Sequence, residues 1–229
     1  MPASLSPLEL EFSRKQLRQQ AAARSRNRHR GWLRRMADWR EARIARYALA
    51  QAGMPTLVLD LSWDTGRFWP LLTEHPTRVV LAASGLPHLF SLAAASQPAA
   101  VAARVRTLLT STFAIDLPDN AVESVFCMHL LQHVGEAGQR LALLREMHRV
   151  TRDTLIVSLW VDGNYQARRR ARRQTKRAAS ARRPQRHVVA REHATAEFRS
   201  AGFSIVDWHD ALPHYAMGRT YVLRKEPQP

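Results

Sequence analysis

The sequence is poor in cysteine, in acidic residues and in long apolar runs. Its 229 residues include a single cysteine, Cys127, which excludes an internal disulfide and a cysteine-rich zinc site. No apolar run approaches the roughly 20 residues that a membrane-spanning helix requires. The first residues, Met1 to Glu11, also lack the apolar block of a secretory signal. These absences predict a cytoplasmic protein with no transmembrane segment and no metal site.

The shortage of acidic residues leaves a large positive charge. There are 35 Lys and Arg residues against 19 Asp and Glu, which gives a net charge of +16. Such an excess implies a polyanionic partner. RNA, DNA, anionic lipid, a phosphorylated glycan and an acidic protein all fit, and net charge alone does not separate them. Contact with the inner membrane surface therefore stays open beside a free cytoplasmic location.

Positive charge is concentrated in two segments, Arg14 to Arg46 and Arg168 to Arg186. Within the first, Trp32, Met36 and Trp39 follow one another at steps of three and four, which predicts an amphipathic helix packed on the core over 31–51. We assign 1–50 to a basic tail and helix, with an RNA or membrane-surface role left open. Residues 51–229 form one α/β domain with an arginine-rich insertion at about 164–187.

From Thr56 onward, apolar runs alternate with helical patterns, which is typical of βαβ units and a parallel sheet. We predict strands at 56–61, 78–83, 105–109, 121–128, 153–160, 203–208 and 215–224. Helices are predicted at 67–74, 86–96, 137–150 and 193–201. The pattern predicts a doubly wound α/β fold with a hairpin-like end.

Ligands of such a sheet bind beyond the carboxyl ends of its strands. The stretch from Val58 to Phe68 resembles the first motif of class I S-adenosylmethionine-dependent methyltransferases, in which an acidic residue precedes a glycine-rich turn, and Asp60 and Gly66 match it. The stretches 116–125, 130–134, 144–150 and 197–203 resemble further segments of the type 11 and ubiquinone-biosynthesis methyltransferases. The resemblance covers about 57–224. It implies a Rossmann-like, mostly parallel seven-stranded sheet with an antiparallel last strand, and S-adenosylmethionine as the cofactor.

The resemblance also implies which residues contact the cofactor, from the turns after the first four strands. They are Asp60, Ser62, Asp64, Gly66, Ala83, Ser84, Phe113, Ala114 and Met128. Several differ from the family pattern, because Ser62 and Asp64 stand where glycine is usual and 82–85 lacks an acidic side chain for the ribose hydroxyls. A rebuilt cofactor site and a vestigial one are both consistent with these departures.

Methyl transfer needs in-line alignment, exclusion of water and, for a weak nucleophile, a base. His129 is the first candidate for a catalytic base and His133 the second, because both follow strand four; the alternative is that both are structural histidines. In the insertion, five arginines are predicted to form a basic helix face for an anionic acceptor or surface, with a solvated charge run as the alternative. They are Arg168, Arg169, Arg172, Arg173 and Arg177.

Three functions follow from these observations. The first is S-adenosylmethionine-dependent methyl transfer to a small, or lipid- or glycan-linked, anionic acceptor. The second is a catalytically inactive methyltransferase fold that serves as a scaffold or regulatory protein, suggested by Ser62, Asp64 and Ala83. The third is an RNA methyltransferase, which ranks last because no recognised RNA-binding module accompanies the charge.

Overall fold

The structure is a computed structural model that describes residues 32–62, 66–85, 87–175 and 186–227. The described strands are β1 (Leu57–Asp60), β2 (Val79–Ser84), β3 (Val105–Leu109), β4 (Val122–Cys127), β5 (Thr151–Val161), β6 (Val188–Val189), β7 (Phe203–Asp210) and β8 (Gly218–Lys225). The described helices are α1 (Trp32–Gln51), α2 (Trp69–Leu72), α3 (Pro87–Ala95), α4 (Ala99–Ala102), α5 (Ala137–Val150), α6 (Tyr165–Thr175) and α7 (Arg191–Ser200). A single 3-10 turn, Leu131–His133, lies between β4 and α5.

The strands form one mixed sheet in the order β3-β2-β1-β4-β5-β8-β7, with β6 paired to β5. Strands β1 to β5 are parallel, and β8 runs antiparallel to both β5 and β7. The predicted doubly wound fold with an antiparallel last strand is confirmed. The two-residue strand β6 was not predicted, because its pairing with Trp160 and Val161 arises only when the chain returns after α6.

Apolar side chains of the sheet alternate between two faces, as the strand period of two requires. On one face, Leu59 and Val125 pack with residues of α5 and α7. On the other, Val58 and Phe126 pack with α1 and α2. Helix α1 therefore packs on the sheet, in agreement with the core-packed helix predicted over 31–51.

The strand order reverses between β1 and β4, which are neighbours although β2 and β3 separate them in sequence. In doubly wound sheets the ligand crevice opens at this switch point, outside the carboxyl ends of the strands. The amide of Leu61 donates to the carbonyl of Phe126 at 2.9 Å, so the chains leave β1 and β4 side by side.

The helix predicted at 67–74 is reduced to the single turn α2. Gly66 precedes it with φ +85°, a left-handed conformation that cannot belong to a helix. At the other end, the hydroxyl of Thr73 donates to the carbonyl of Trp69 at 2.8 Å. Phe68 and Trp69 are buried.

Candidate cofactor and active site

The carboxyl end of β1 carries a buried carboxylate, Asp60, which is only 3% exposed. It accepts a hydrogen bond from the amide of Ser62 at 2.9 Å. Burial raises the pKa of Asp60, and hydrogen bonds from Ser62 and Trp69 oppose that rise without cancelling it. Among the described residues, no basic side chain forms an ion pair with it. A buried carboxylate without a counter-charge is costly, so this position suits a cationic ligand.

Ser62 connects the two strands at the switch point. Its hydroxyl accepts a hydrogen bond from the amide of Met128 at 3.3 Å, and the residue is buried. The side chain that replaces the usual glycine is therefore directed toward the loop after β4. Met128 is buried in the same place. Asp64, the other residue that stands where glycine is usual in the family, lies outside the described residues.

Gly66 is where the turn after β1 packs directly on helix α3. A Cβ added there would lie 2.6 Å from the Cβ of Ala93, far inside van der Waals contact. The carbonyl of Gly66 accepts a hydrogen bond from the side-chain amide of Gln97 at 2.9 Å. The positive φ and the close approach both require glycine, which is the role of the last glycine in dinucleotide-binding turns.

Replacing Gly66 by alanine is expected to lower the free energy of unfolding by about 2–4 kcal/mol, because the strained φ and the contact with Ala93 add. The matched control is Gly53→Ala, since Gly53 has φ +79° but no atom within 4 Å of an added Cβ. It should cost about 1 kcal/mol, from backbone strain alone. Urea denaturation measures both. Equal losses in the two variants would contradict the steric argument.

The carboxyl ends of β2 and β3 supply few polar groups. Ala83 and Ser84 are buried, and the carbonyl of Ser84 accepts from the amide of Thr110 at 3.1 Å. Phe113 is partly buried against the core, whereas Ala114 is exposed. Residues 82–85 contain no carboxylate, so a ligand beside β2 would meet a hydroxyl and apolar surface rather than an acid.

His129 follows β4 in a strained conformation, with φ +62°. Its amide donates to the hydroxyl of Ser158 at 2.9 Å, which holds the backbone in place. The ring nitrogen Nδ1 lies 3.3 Å from the side-chain amide of Gln132, and Nε2 contacts the carboxylate of Glu41. A non-glycine residue held at positive φ is typical of functional positions. The structure therefore presents His129 as an oriented imidazole at the switch point.

Helix α1 brings the carboxylate of Glu41 to this histidine and that of Asp38 to Arg67. Arg67, in the turn after β1, donates to Asp38 at 2.9 Å and also to Glu41. Burial raises the pKa of Glu41, but its hydrogen bond to His129 and the charges of His129, Arg67 and Arg186 outweigh burial, so the pKa lies below the usual value. Sequence reasoning missed this cluster. The available signal was the pair of carboxylates, three residues apart, in an otherwise basic helix.

The second predicted base, His133, does not lie at the opening of the crevice. His133 lies in the 3-10 turn and is only 2% exposed, whereas the side chain of His129 is 20% exposed. The short turn directs His133 into the interior, which the sequence could not indicate. We therefore correct the expectation that both histidines face the crevice, and retain His129.

The predicted basic face is carried by α6, where Arg168, Arg169, Arg172 and Arg173 are exposed. Arg177 lies outside the described residues. A different arginine, Arg170, faces inward.

Arg170 stacks over the ring of Trp160 at 5.3 Å, and Arg186 stacks over the same ring at 5.1 Å. Arg170 also donates to the carbonyl of Arg186 at 2.8 Å. The charge of Arg186 is one of the causes that lower the pKa of Glu41. Sequence reasoning missed the stacking of Arg170 and Arg186 on Trp160.

Comparisons with known proteins show what this arrangement resembles. The Methyltransf_11 family model, described as a methyltransferase domain, matches residues 59–157, which are less than half of the chain. The matched residues begin at Leu59 in β1, end at Val157 in β5 and include Asp60 and His129. No curated protein sequence is significantly similar to the chain.

Several solved structures share the fold of this chain at low sequence identity. Magnesium protoporphyrin IX methyltransferase from Synechocystis PCC 6803 with bound S-adenosylmethionine superposes with a TM-score of 0.68 at 12% identity, covering 99% of this chain and 100% of that one. The [4+2]-cyclase SpnF gives 0.62 at 16% identity, over 82% and 81% of the two chains. An O-methyltransferase-like structure from Nostoc punctiforme gives 0.59 at 19% identity, over 80% and 56%. These similarities establish the fold.

None of the described helices combines the length and the apolar character needed to cross a bilayer. The same part of the chain contains no group of three or more His, Cys, Asp or Glu side chains placed to hold a metal ion.

Proposed function

We propose that this protein transfers a methyl group from S-adenosylmethionine to a small, or lipid- or glycan-linked, anionic acceptor. The observation that carries the proposal is the buried, uncompensated carboxylate of Asp60 beside the tight Gly66 turn, inside a methyltransferase domain. The amino group and the sulfonium of S-adenosylmethionine are both cationic, so they supply the counter-charge that this carboxylate lacks.

The residues at the switch point fit this cofactor. Asp60 would face its cationic end, and Ser62 and Gly66 would lie along it; the predicted contact Asp64 lies outside the described residues. The hydroxyl of Ser84 takes the place of the usual ribose-binding carboxylate, and the backbone beside Ala83 lines the same side. Apolar contacts would come from Phe113, Ala114 and Met128. When bound, the cofactor supplies an electrophilic methyl group.

His129 is the proposed proton acceptor. Nε2 contacts the carboxylate of Glu41, so we assign the proton of the imidazole to Nε2, which leaves the lone pair of Nδ1 available. The amide of Gln132 now lies beside Nδ1, and a hydroxyl or amine of the acceptor would replace it there. Glu41 then stabilises the imidazolium that forms, because opposite charges in contact favour the protonated ring.

The acceptor is proposed to be anionic because α6, the helix that follows β5, carries four exposed arginines. The exposed arginines of α6 lie on the same helix as Arg170, whose partner Arg186 acts electrostatically on Glu41. Arginine side chains bind phosphate and carboxylate groups with two parallel hydrogen bonds. A phosphorylated or carboxylated acceptor would therefore be held at α6 with its reacting atom toward His129.

A calorimetric titration with S-adenosylmethionine and S-adenosylhomocysteine tests the proposal. We expect binding by the parent protein and a loss of about 10- to 100-fold in affinity in Asp60→Ala, since a hydrogen bond to a charged group contributes about 1.5–3 kcal/mol. Asp60→Asn keeps an acceptor for the Ser62 amide but removes the charge. It should lose affinity for the cationic cofactor while keeping the stability of the parent.

A catalytically inactive scaffold is the second candidate function. It is favoured by the absence of a carboxylate at 82–85 and by the ion-paired Glu41 that covers His129. The fold also occurs in a [4+2]-cyclase, and a shared fold does not determine the reaction. Absence of binding by the parent at millimolar cofactor would reject methyl transfer and leave the scaffold.

A further inference from the structure

Helix α1 is apolar on two opposite sides. Its inner side is formed by small and aliphatic residues that are at most 3% exposed, namely Ala45, Ala48, Leu49 and Ala52. With 100° of rotation per residue, Trp32, Met36, Trp39 and Arg43 lie together on the opposite side. We call these four residues the outer stripe.

The apolar members of the outer stripe project into solvent. Trp32 is 68% exposed, Met36 57% and Trp39 59%. Tyr47, one turn beyond Arg43 and adjoining the stripe, is 46% exposed. Two tryptophans and a methionine in one exposed row are unusual on a protein surface that faces water, where large apolar residues normally occur singly.

Arginines surround this row. Arg43 stacks on the ring of Trp39 at 5.8 Å, while Arg35 and Arg40 flank the stripe and are exposed. Among the described residues, none of these three arginines forms an ion pair. The pattern of interfacial aromatic residues edged by cations is that of a helix lying in the plane of an anionic membrane surface.

We propose that the outer stripe of α1 docks this protein on an anionic lipid bilayer. A protein partner fits less well, because the three large apolar side chains and Tyr47 expose only roughly 500 Å² together, below the about 800 Å² per partner of a standard interface. A single-stranded nucleic acid fits less well because it binds along a groove, whereas the stripe lies on one convex helix. Shallow insertion of indole rings needs neither a large area nor a groove.

The outer stripe and the residue that contacts His129 lie on opposite faces of α1. Glu41 contacts His129 from the inner side while Trp39, two residues earlier, belongs to the outer stripe. A docked α1 therefore brings the switch point next to the lipid headgroups. The docking itself does not depend on the proposed methyl transfer, because it rests on exposed residues that contact neither Asp60 nor His129.

Flotation with phospholipid vesicles tests the inference without any cofactor. The parent is expected to float with phosphatidylcholine vesicles that contain roughly a quarter phosphatidylglycerol, and far less with pure phosphatidylcholine. Trp32→Ser/Trp39→Ser should reduce the partition coefficient at least about tenfold, since each indole loses its place at the interface. The matched control, Leu92→Gln/Leu109→Gln, replaces exposed apolar residues elsewhere and should float like the parent.

A second measurement uses the unmodified protein. Brominated lipids should quench part of its tryptophan fluorescence on anionic vesicles, and that quenching should be absent in Trp32→Ser/Trp39→Ser. Three outcomes would overturn the inference: no flotation of the parent, equal flotation of the tryptophan variant, or binding of the parent to single-stranded poly(U) in preference to anionic vesicles. Failure here leaves the calorimetric test of cofactor binding unaffected, so the two proposals fail separately.

Discussion

Replacing His129 by asparagine is expected to lower the rate of methyl transfer by about 100-fold or more, with little change in cofactor affinity. The reason is that a positioned general base typically contributes about 10²- to 10⁴-fold to the rate, whereas His129 is proposed to meet the acceptor rather than the cofactor. The measurement is incorporation of label from methyl-labelled S-adenosylmethionine into fractionated lipid, glycan and RNA extracts, beside a calorimetric titration of the same variant.

The matched variant for this experiment is Glu41→Gln. It retains the size of the side chain and a hydrogen-bonding oxygen but removes the charge that stabilises a protonated His129. We expect a smaller loss of rate than in His129→Asn, and a combined variant no slower than His129→Asn alone, because Glu41 acts through the histidine. If the rate losses of the two single variants multiplied in the combined variant, Glu41 would not act through His129. An unchanged rate in His129→Asn would show that His129 is not the base.

Replacing Arg140 by methionine is expected to lower the free energy of unfolding by about 3–5 kcal/mol, because it leaves a buried carboxylate uncompensated. Arg140 on α5 donates to both carboxylate oxygens of Glu197 on α7, at 3.0 and 2.5 Å, and the two side chains are only 7% and 13% exposed. It also donates to the carbonyls of Val134 and Gly135. Urea denaturation of parent and variant gives the difference.

Two further variants separate charge from packing. Arg140→Met/Glu197→Met removes both charges and should recover most of the lost stability, since an apolar pair of similar size often replaces a buried ion pair at little cost. Arg46→Met breaks the exposed pair with Glu74, whose side chains are 50% and 48% exposed, and should cost less than about 1 kcal/mol. A similar loss in Arg46→Met and Arg140→Met would contradict the argument from burial.

Most of the fold could be predicted because its signals are local. Strand β3 and helix α5 have the predicted bounds, and α1 begins one residue from its predicted start and ends where predicted. Continuous apolar runs and three- and four-residue periods are read within a window of ten to fifteen residues. The elements that were missed are short: α4 has four residues and β6 has two. Such elements depend on pairing partners rather than on periodicity.

The candidate site was only partly predictable, for a related reason. Asp60 and Gly66 were identified because they follow a recognisable strand within a family motif, and the structure gives Gly66 a steric reason through Ala93. Glu41, Arg67 and Arg186 were not identified, because 88 residues separate Glu41 from His129 along the chain and no local pattern connects them. His133 was misplaced because four residues from His129 carry it into a 3-10 turn and the interior.

The sequence by itself determined the fold class, the alternation of strands and helices and the turn proposed to receive a cofactor, since each is encoded by neighbouring residues. Only the tertiary structure decided what surrounds that turn. It placed the carboxylate of Glu41 against His129 and left the outer stripe in solvent. The physical reason is that a helical period shows that a helix has two sides, whereas packing against the sheet decides which of them is buried.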